Sequence, residues 1–286
     1  MKCGFIMATR KSLIRATALV ALAGAAACGR STFPSPEAAT ENAAPDIDLS
    51  AYELTFSDEF DESLDASGHR CDTKWITHTP YNGDFGIAEF AHPSRGFPFV
   101  IKDGILRIEA RKTPDDGWKA GLLSSWNSCD EGFAQQYGYF ELSAQLPAGE
   151  GFWPAFWLLG TDRDPIVPEV DIFEYHTTRP RDLEITIHIH DEVVDDGPRQ
   201  FKAYHIEKVE PGSLSKGFNT YGVDVQEDEM VFYLNRREVW RTPTLPEFRV
   251  PLYILINLGM EQHDITQNTP EFDYMYVDYV RAYSRR

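Results

Sequence analysis

The chain has 286 residues, a formal net charge of -18, and 13% of its residues are aromatic. So acidic a balance excludes a nucleic-acid partner, because phosphate binding needs Lys and Arg to displace counterions. It also favours a neutral substrate over a densely sulfated or carboxylated one. The length fits one large all-β domain or two small ones, with aromatics enough for a big core and a lined groove.

The first 28 residues differ in kind. Lys2, Arg10, Lys11 and Arg15 precede an apolar run from Ala16 to Ala27, with no acid among them. This is the pattern of a secretory signal peptide, too short to span a bilayer as a stable helix. Cys28 follows small residues, as at a lipoprotein cleavage site, although Ala25 stands where Leu is usual. The reading leaves open a lipid anchor at Cys28 or simple secretion. Either way the protein is expected to be exported: periplasmic, an outer-membrane lipoprotein or extracellular. Residues 29–48, rich in Ser, Pro, Ala and Thr, read as a disordered tether. The folded domain is expected over residues 49–286, and a monomer is expected. Cys71 and Cys129 remain in an oxidising compartment, either as one disulfide or as two buried thiols. Neither has Cys or His at zinc-ligand spacing.

From Leu54 onward strand-like segments recur with turn signals between them, as in an all-β sandwich. Residues 99–110 read as a hairpin about Asp103-Gly104. In residues 139–146, Phe140, Leu142, Ala144 and Leu146 face a core, while Tyr139, Glu141, Ser143 and Gln145 face out. Residues 184–190 alternate in the same way, with Glu184, Thr186, His188 and His190 on the wet face. Thr220–Val225 and Met230–Leu234 flank the turn Glu227-Asp228-Glu229. Residues 252–258 are apolar on both faces except Asn257, as in a central strand, and residues 274–283 close the chain.

The stretch Glu169-Val-Asp-Ile-Phe-Glu174 carries the chemistry. Glu169, Val170, Asp171 and Ile172 alternate, and then two apolar residues intervene before Glu174. One extra residue near Ile172 and Phe173, a β-bulge, would return Glu174 to the face of Glu169 and Asp171. Three like charges on one face are costly, so a strand selected only for stability would avoid them. The bland alternative is a solvated acidic face.

Residues 149–160, with Phe152-Trp-Pro-Ala-Phe-Trp157 at their centre, lead into this strand. Together the two resemble glycoside hydrolase family 16. The resemblance extends over residues 54–283, through Leu54-Thr-Phe-Ser-Asp-Glu-Phe-Asp61, Asp103-Gly-Ile-Leu-Arg-Ile-Glu-Ala110, Gln136-Tyr-Gly-Tyr-Phe-Glu141 and Tyr276-Val-Asp-Tyr-Val-Arg-Ala-Tyr283. It implies a β-jelly-roll, two curved antiparallel sheets with a carbohydrate cleft on the concave face. It implies Glu169 as nucleophile, Glu174 as general acid/base, and Asp171 between them holding Glu169 and keeping Glu174 protonated. Trp153, Trp157, His188, Asn257 and Glu141 match cleft positions. For each the competing role is structural: core packing for the tryptophans, a buried hydrogen bond for the polar three. Asp278 and the Gly104 carbonyl match a structural calcium site remote from the cleft; no cofactor is expected for the chemistry. The bulged spacing belongs to the laminarinase-like and galactan-cleaving branches. Residues 120–125 and 132–141 look most like bacterial members that trim exopolysaccharide. The implied activity is a retaining endo-β-glycosidase on β-1,3 or mixed β-1,3/1,4 glucan. The alternatives are a transglycosylase and a non-catalytic glycan-binding jelly roll.

Overall fold

A computed structural model describes residues 46–80, 83–115, 117–162, 166–191 and 200–286. The expected export signal, Cys28, nearly all of the expected tether and residues 192–199 lie outside the described residues. The rest is all-β, two antiparallel sheets packed as a jelly-roll sandwich. One sheet runs from Arg237–Pro243 through Glu229–Leu234, Asn219–Val225 and Gly138–Gln145 to Phe272–Arg285. Beyond Phe272–Arg285 lie Tyr52–Asp58 and Ile105–Lys112. The second sheet runs Gln200–Lys208, Asp182–Asp191, Ile166–Glu174, Trp153–Gly160, Leu252–Gly259, Trp118–Ser124. Trp118–Ser124 also pairs with Ile105–Lys112, so the two layers join along one seam. No helix among the described residues is long and apolar enough to cross a membrane.

The local chemistry explains the elements. Asp103 and Gly104 both take positive φ, 53° and 76°, the backbone a two-residue hairpin turn requires. Phe140, Leu142 and Ala144 point between the sheets and meet the apolar face of the second sheet, where Phe156, Val170, Phe173, Ile187 and Ile256 are fully buried. Burying each such large side chain stabilises the fold by about 1.5–3 kcal/mol. Leu252–Gly259 has a strand on either side and is buried along its length, as its composition predicts.

Two expectations change. The alternate face of Gly138–Gln145 is not wet: Tyr139 and Glu141 have no exposure. Tyr139 packs among Tyr52, Tyr233 and Tyr283, and the Glu141 carboxylate accepts hydrogen bonds from Tyr139, Tyr279 and Arg236 at 2.8–2.9 Å. The first strand starts at Tyr52, behind a 3-10 turn over Leu49–Ala51. Cys71 and Cys129 form a disulfide across 58 residues of sequence, which settles the choice that their spacing left open.

Candidate active site

The exposed face of the second sheet carries a cleft of about 280 Å³ lined by Phe85, Trp153, Ala155, Trp157, Glu169, Asp171, Glu174 and Asn257. Its floor depends on one irregularity. Against Trp153–Gly160, Trp157 faces Asp171 and Phe156 faces Phe173, so Ile172 is an extra residue. The strand on the other side shows the same break, with Asp171 opposite Thr186 and Glu174 opposite Glu184. Ile172 and Phe173 are both buried in the core. The bulge therefore sends two consecutive apolar side chains inward and returns Glu174 to the face of Glu169 and Asp171.

The three carboxyl groups sit in unlike surroundings. Asp171 is buried, and burial, then the charge of Glu169, then that of Glu174, push its carboxyl well above the usual range. His188 Nε2 lies 3.2 Å from Asp171 Oδ2. That approach lacks hydrogen-bond alignment, and the oxygen has no hydrogen-bond partner among the described residues. Burial also pushes His188 down, toward the neutral imidazole. Glu174 is pushed up to about 7, by burial first and then by the charges of Glu169 and Glu184. Trp153 Nε1 donates to Glu174 Oε1 at 3.1 Å, which leaves Oε2 for a reacting proton. Glu169 is partly exposed, and its Oε2 lies 3.0 Å from His190 Nε2.

The sequence-predicted residues divide by sheet. Trp153, Trp157 and Asn257 line the cleft with the carboxylates. Trp157 Nε1 donates to Asn257 Oδ1 at 2.8 Å, and Asn257 Nδ2 donates to the Trp153 carbonyl at 3.5 Å, so the amide ties the Trp157 indole to the Trp153 backbone. His188 stands across from Glu169 on the neighbouring strand. Glu141 is elsewhere. It belongs to the other sheet, where it forms a two-pronged ion pair with Arg236, and its expected cleft role is corrected to a structural one. The mistake has a simple origin: alternation shows that Glu141 opposes the core but not what covers it. Asp278 is the extra residue of a bulge in Phe272–Arg285, also in that other sheet, and accepts from Ser143 Oγ at 3.2 Å.

Two features were missed by sequence reading. Phe85 sits edge-on to both Trp153 and Trp157, with ring centroids 5.5 and 5.6 Å away. It comes from an irregular segment anchored by Ile87 N–H to the Met260 carbonyl at 2.9 Å, which no periodicity announces. His176 stacks on Trp153 at 5.5 Å from behind and is bonded through Nδ1 to buried Asp264. Two groups of side chains bring metal-type ligand atoms within 4.8 Å: Glu169, Asp171 and His188, and His176, Glu261, His263 and Asp264. The first is the carboxylate centre itself. In the second, Asp264 is already hydrogen-bonded by His176 and Thr178.

Neighbouring carboxyl groups on one face, one of them pushed up by burial and nearby charge, beside indole rings in an open cleft, are the equipment of acid–base and nucleophilic chemistry on a sugar. Comparison with known proteins agrees. The family model of Glycosyl hydrolases family 16 matches residues 100–274. That of the beta-glucan synthesis-associated proteins SKN1/KRE6/Sbg1 matches residues 30–165. An endo-1,3-1,4-beta-glycanase of Rhizobium meliloti, EglC, is 31% identical over 259 residues, covering 83% of this chain and 53% of its own length. A second from that organism, ExsH, is 33% identical over 197 residues, covering 65% of this chain and 40% of its own length. The chain thus spans about half the length of these curated relatives or less. Among solved structures, the non-specific endo-beta-1,3(4)-glucanase SCLam superposes with a TM-score of 0.65 at 25% identity, covering 88% of this chain and 98% of that one. With more than half of the chain matched by the family model and the carboxylate strand intact in its cleft, the chain belongs to glycoside hydrolase family 16.

Proposed function

We propose that the protein is a retaining endo-β-glycosidase that cuts internal β-1,3 or mixed β-1,3/1,4 glucosidic bonds of a polysaccharide. The observation that carries this is the bulge at Ile172, which sets Glu169 and Glu174 on one face, with burial and neighbouring charge pushing Glu174 up. In the first step Glu174 Oε2 gives its proton to the glycosidic oxygen. The C1–O bond breaks as a Glu169 oxygen attacks C1, giving a glycosyl ester on Glu169. In the second step Glu174, now a carboxylate, takes a proton from water as that water attacks C1 and releases Glu169. Asp171 shares its proton with Glu169, holding the nucleophile in place without adding a second negative charge. Trp153, Trp157 and Phe85 offer ring faces and edges to the apolar side of a pyranose, and Asn257 fixes the tryptophans. The names of the Rhizobium meliloti relatives and of SCLam support the β-1,3/1,4 linkage.

The disulfide supports an exported protein, since such bonds persist in oxidising compartments. The oxygen donors about Gly104 fit the expected calcium. The pairing of Val277 with Leu106 brings Asp278 toward that turn, and the Asp61 carboxylate stands beside it. Asp278, Asp61 and the Gly104 carbonyl would hold the ion, whose contribution is structural.

The test is reducing-end release from mixed-linkage β-glucan, with proton NMR of the first products. The parent is expected to release the β anomer first. Glu174→Gln is expected to lower kcat by about 10²–10⁴-fold. Release of the α anomer first, or a Glu169→Gln variant as fast as the parent, would refute the mechanism.

A further inference from the structure

A second hollow lies on the same sheet face, across the carboxylate strand from the cleft. It has a volume of about 170 Å³ and is lined by Glu184, Thr186, Lys202, Tyr204 and Ile206. The strand registers align the two hollows. Trp157 pairs with Asp171, Asp171 with Thr186 and Thr186 with Tyr204, forming one row across four strands. A parallel row joins Glu169, His188 and Lys202. Directly paired residues point to the same face. Strands lie about 4.8 Å apart, so Tyr204 stands about 10 Å from Asp171, room for a sugar or two beyond the point of cleavage.

Tyr204 is 66% exposed, the most exposed large apolar side chain among the described residues, although it sits on a sheet face and not at a loop tip. Lys202 is exposed beside it and makes no contact ion pair with any described residue, while Glu184, which also lines the hollow, is taken up by Arg179. The hollow therefore offers an exposed ring face and an ammonium held in no contact ion pair, whose field also reaches Asp171 and Glu174, in a chain of net charge -18. A neutral glucan ring offers that ammonium no charge to pair with. A carboxylate carried by the sugar does offer one.

We infer that this hollow is the cleft's second half and receives a sugar ring on Tyr204 with a carboxylate substituent against Lys202, so that the substrate is an acidic β-glycan. The inference rests on the proposed hydrolase chemistry and narrows its substrate, against the neutral substrate that overall charge suggests. Net charge is set by the whole surface, whereas recognition is set by the few groups within a Debye length of the bound ring.

The test compares mixed-linkage β-glucan with the same polymer partly oxidised at C6 to the uronic acid. KM and kcat are measured for the parent, Lys202→Gln and Tyr204→Ala at one pH below 7. Dissociation constants are measured for the same polymers with a Glu169→Gln background. The parent is expected to favour the oxidised polymer in KM. Lys202→Gln should shrink that preference by about two- to fivefold, the worth of an exposed ion pair, and high salt should erase it in the parent. Because the readout is a ratio between polymers, any effect of Lys202 on the acidity of Glu174 cancels. Tyr204→Ala should raise KM on both polymers. A preference unchanged by Lys202→Gln, or a parent that cuts both polymers with equal KM, overturns the inference and leaves the hydrolase reading standing. If neither polymer is cut but the oxidised one binds more tightly through Lys202, the hydrolase reading falls and the subsite stands.

Discussion

Burial and the charges of Glu169 and Glu184 hold Glu174 at about 7, while Lys202 and the Trp153 indole pull it the other way. Glu174 must carry a proton to act as the acid, and it does so only below that value. Activity on β-glucan is therefore expected to fall as pH rises through about 7. Glu184→Gln removes a neighbouring negative charge and should move this alkaline limb to lower pH; a kcat–pH profile that does not move would detach Glu184 from the acid. The carboxylates were legible in the sequence because three acids among apolar residues are anomalous in any strand. Phe85, His176, Tyr204 and Lys202 were not. Phe85 lines the cleft, Tyr204 and Lys202 line the hollow beside it and His176 backs Trp153, and the meaning of each comes only from what the fold places beside it.

At the scale of elements, the doubled apolar step before Glu174 announced its bulge, and the structure has it at Ile172. Asp103-Gly104 likewise announced its hairpin. The strand Gln200–Lys208 went unseen: Lys202, Tyr204 and His205 mask its weak alternation, and the strand is held by its neighbour Asp182–Asp191 more than by its own pattern. Glu141 shows the opposite failure, a correctly read strand with a wrongly read face. It ties Gly138–Gln145 to the turn Asn235-Arg236, where Arg236 takes a φ of 62° that ordinary side chains disfavour. Glu141→Ala leaves Arg236 and two tyrosine hydroxyls without their acceptor. It should cost about 3 kcal/mol in urea unfolding while KM for β-glucan stays at the parent's value. A raised KM would return Glu141 to the cleft.

At the scale of the molecule, the two-sheet sandwich followed from the ordered segments, but the joining of its layers through Trp118–Ser124 did not, since no local pattern tells a strand that it will pair with both sheets. The Cys71–Cys129 bond closes a loop long enough to contribute about 4 kcal/mol by restricting the unfolded chain. Reduction is expected to lower Tm by about 10 °C, read by circular dichroism with and without reductant. An unchanged Tm would show the loop to be held without it. Gln200–Lys208 pairs on one side only among the described residues, which makes it the free edge of the cleft-bearing sheet. Such an edge is an open template for a second chain, and lysines along it are a common guard against that pairing. Lys202 and Lys208 stand on this edge. The ammonium that would read an acidic glycan would thus also disfavour edge-to-edge pairing of two copies. A variant tuned toward neutral glucans by removing Lys202 would trade selectivity against colloidal stability, and would tend to self-associate at high concentration.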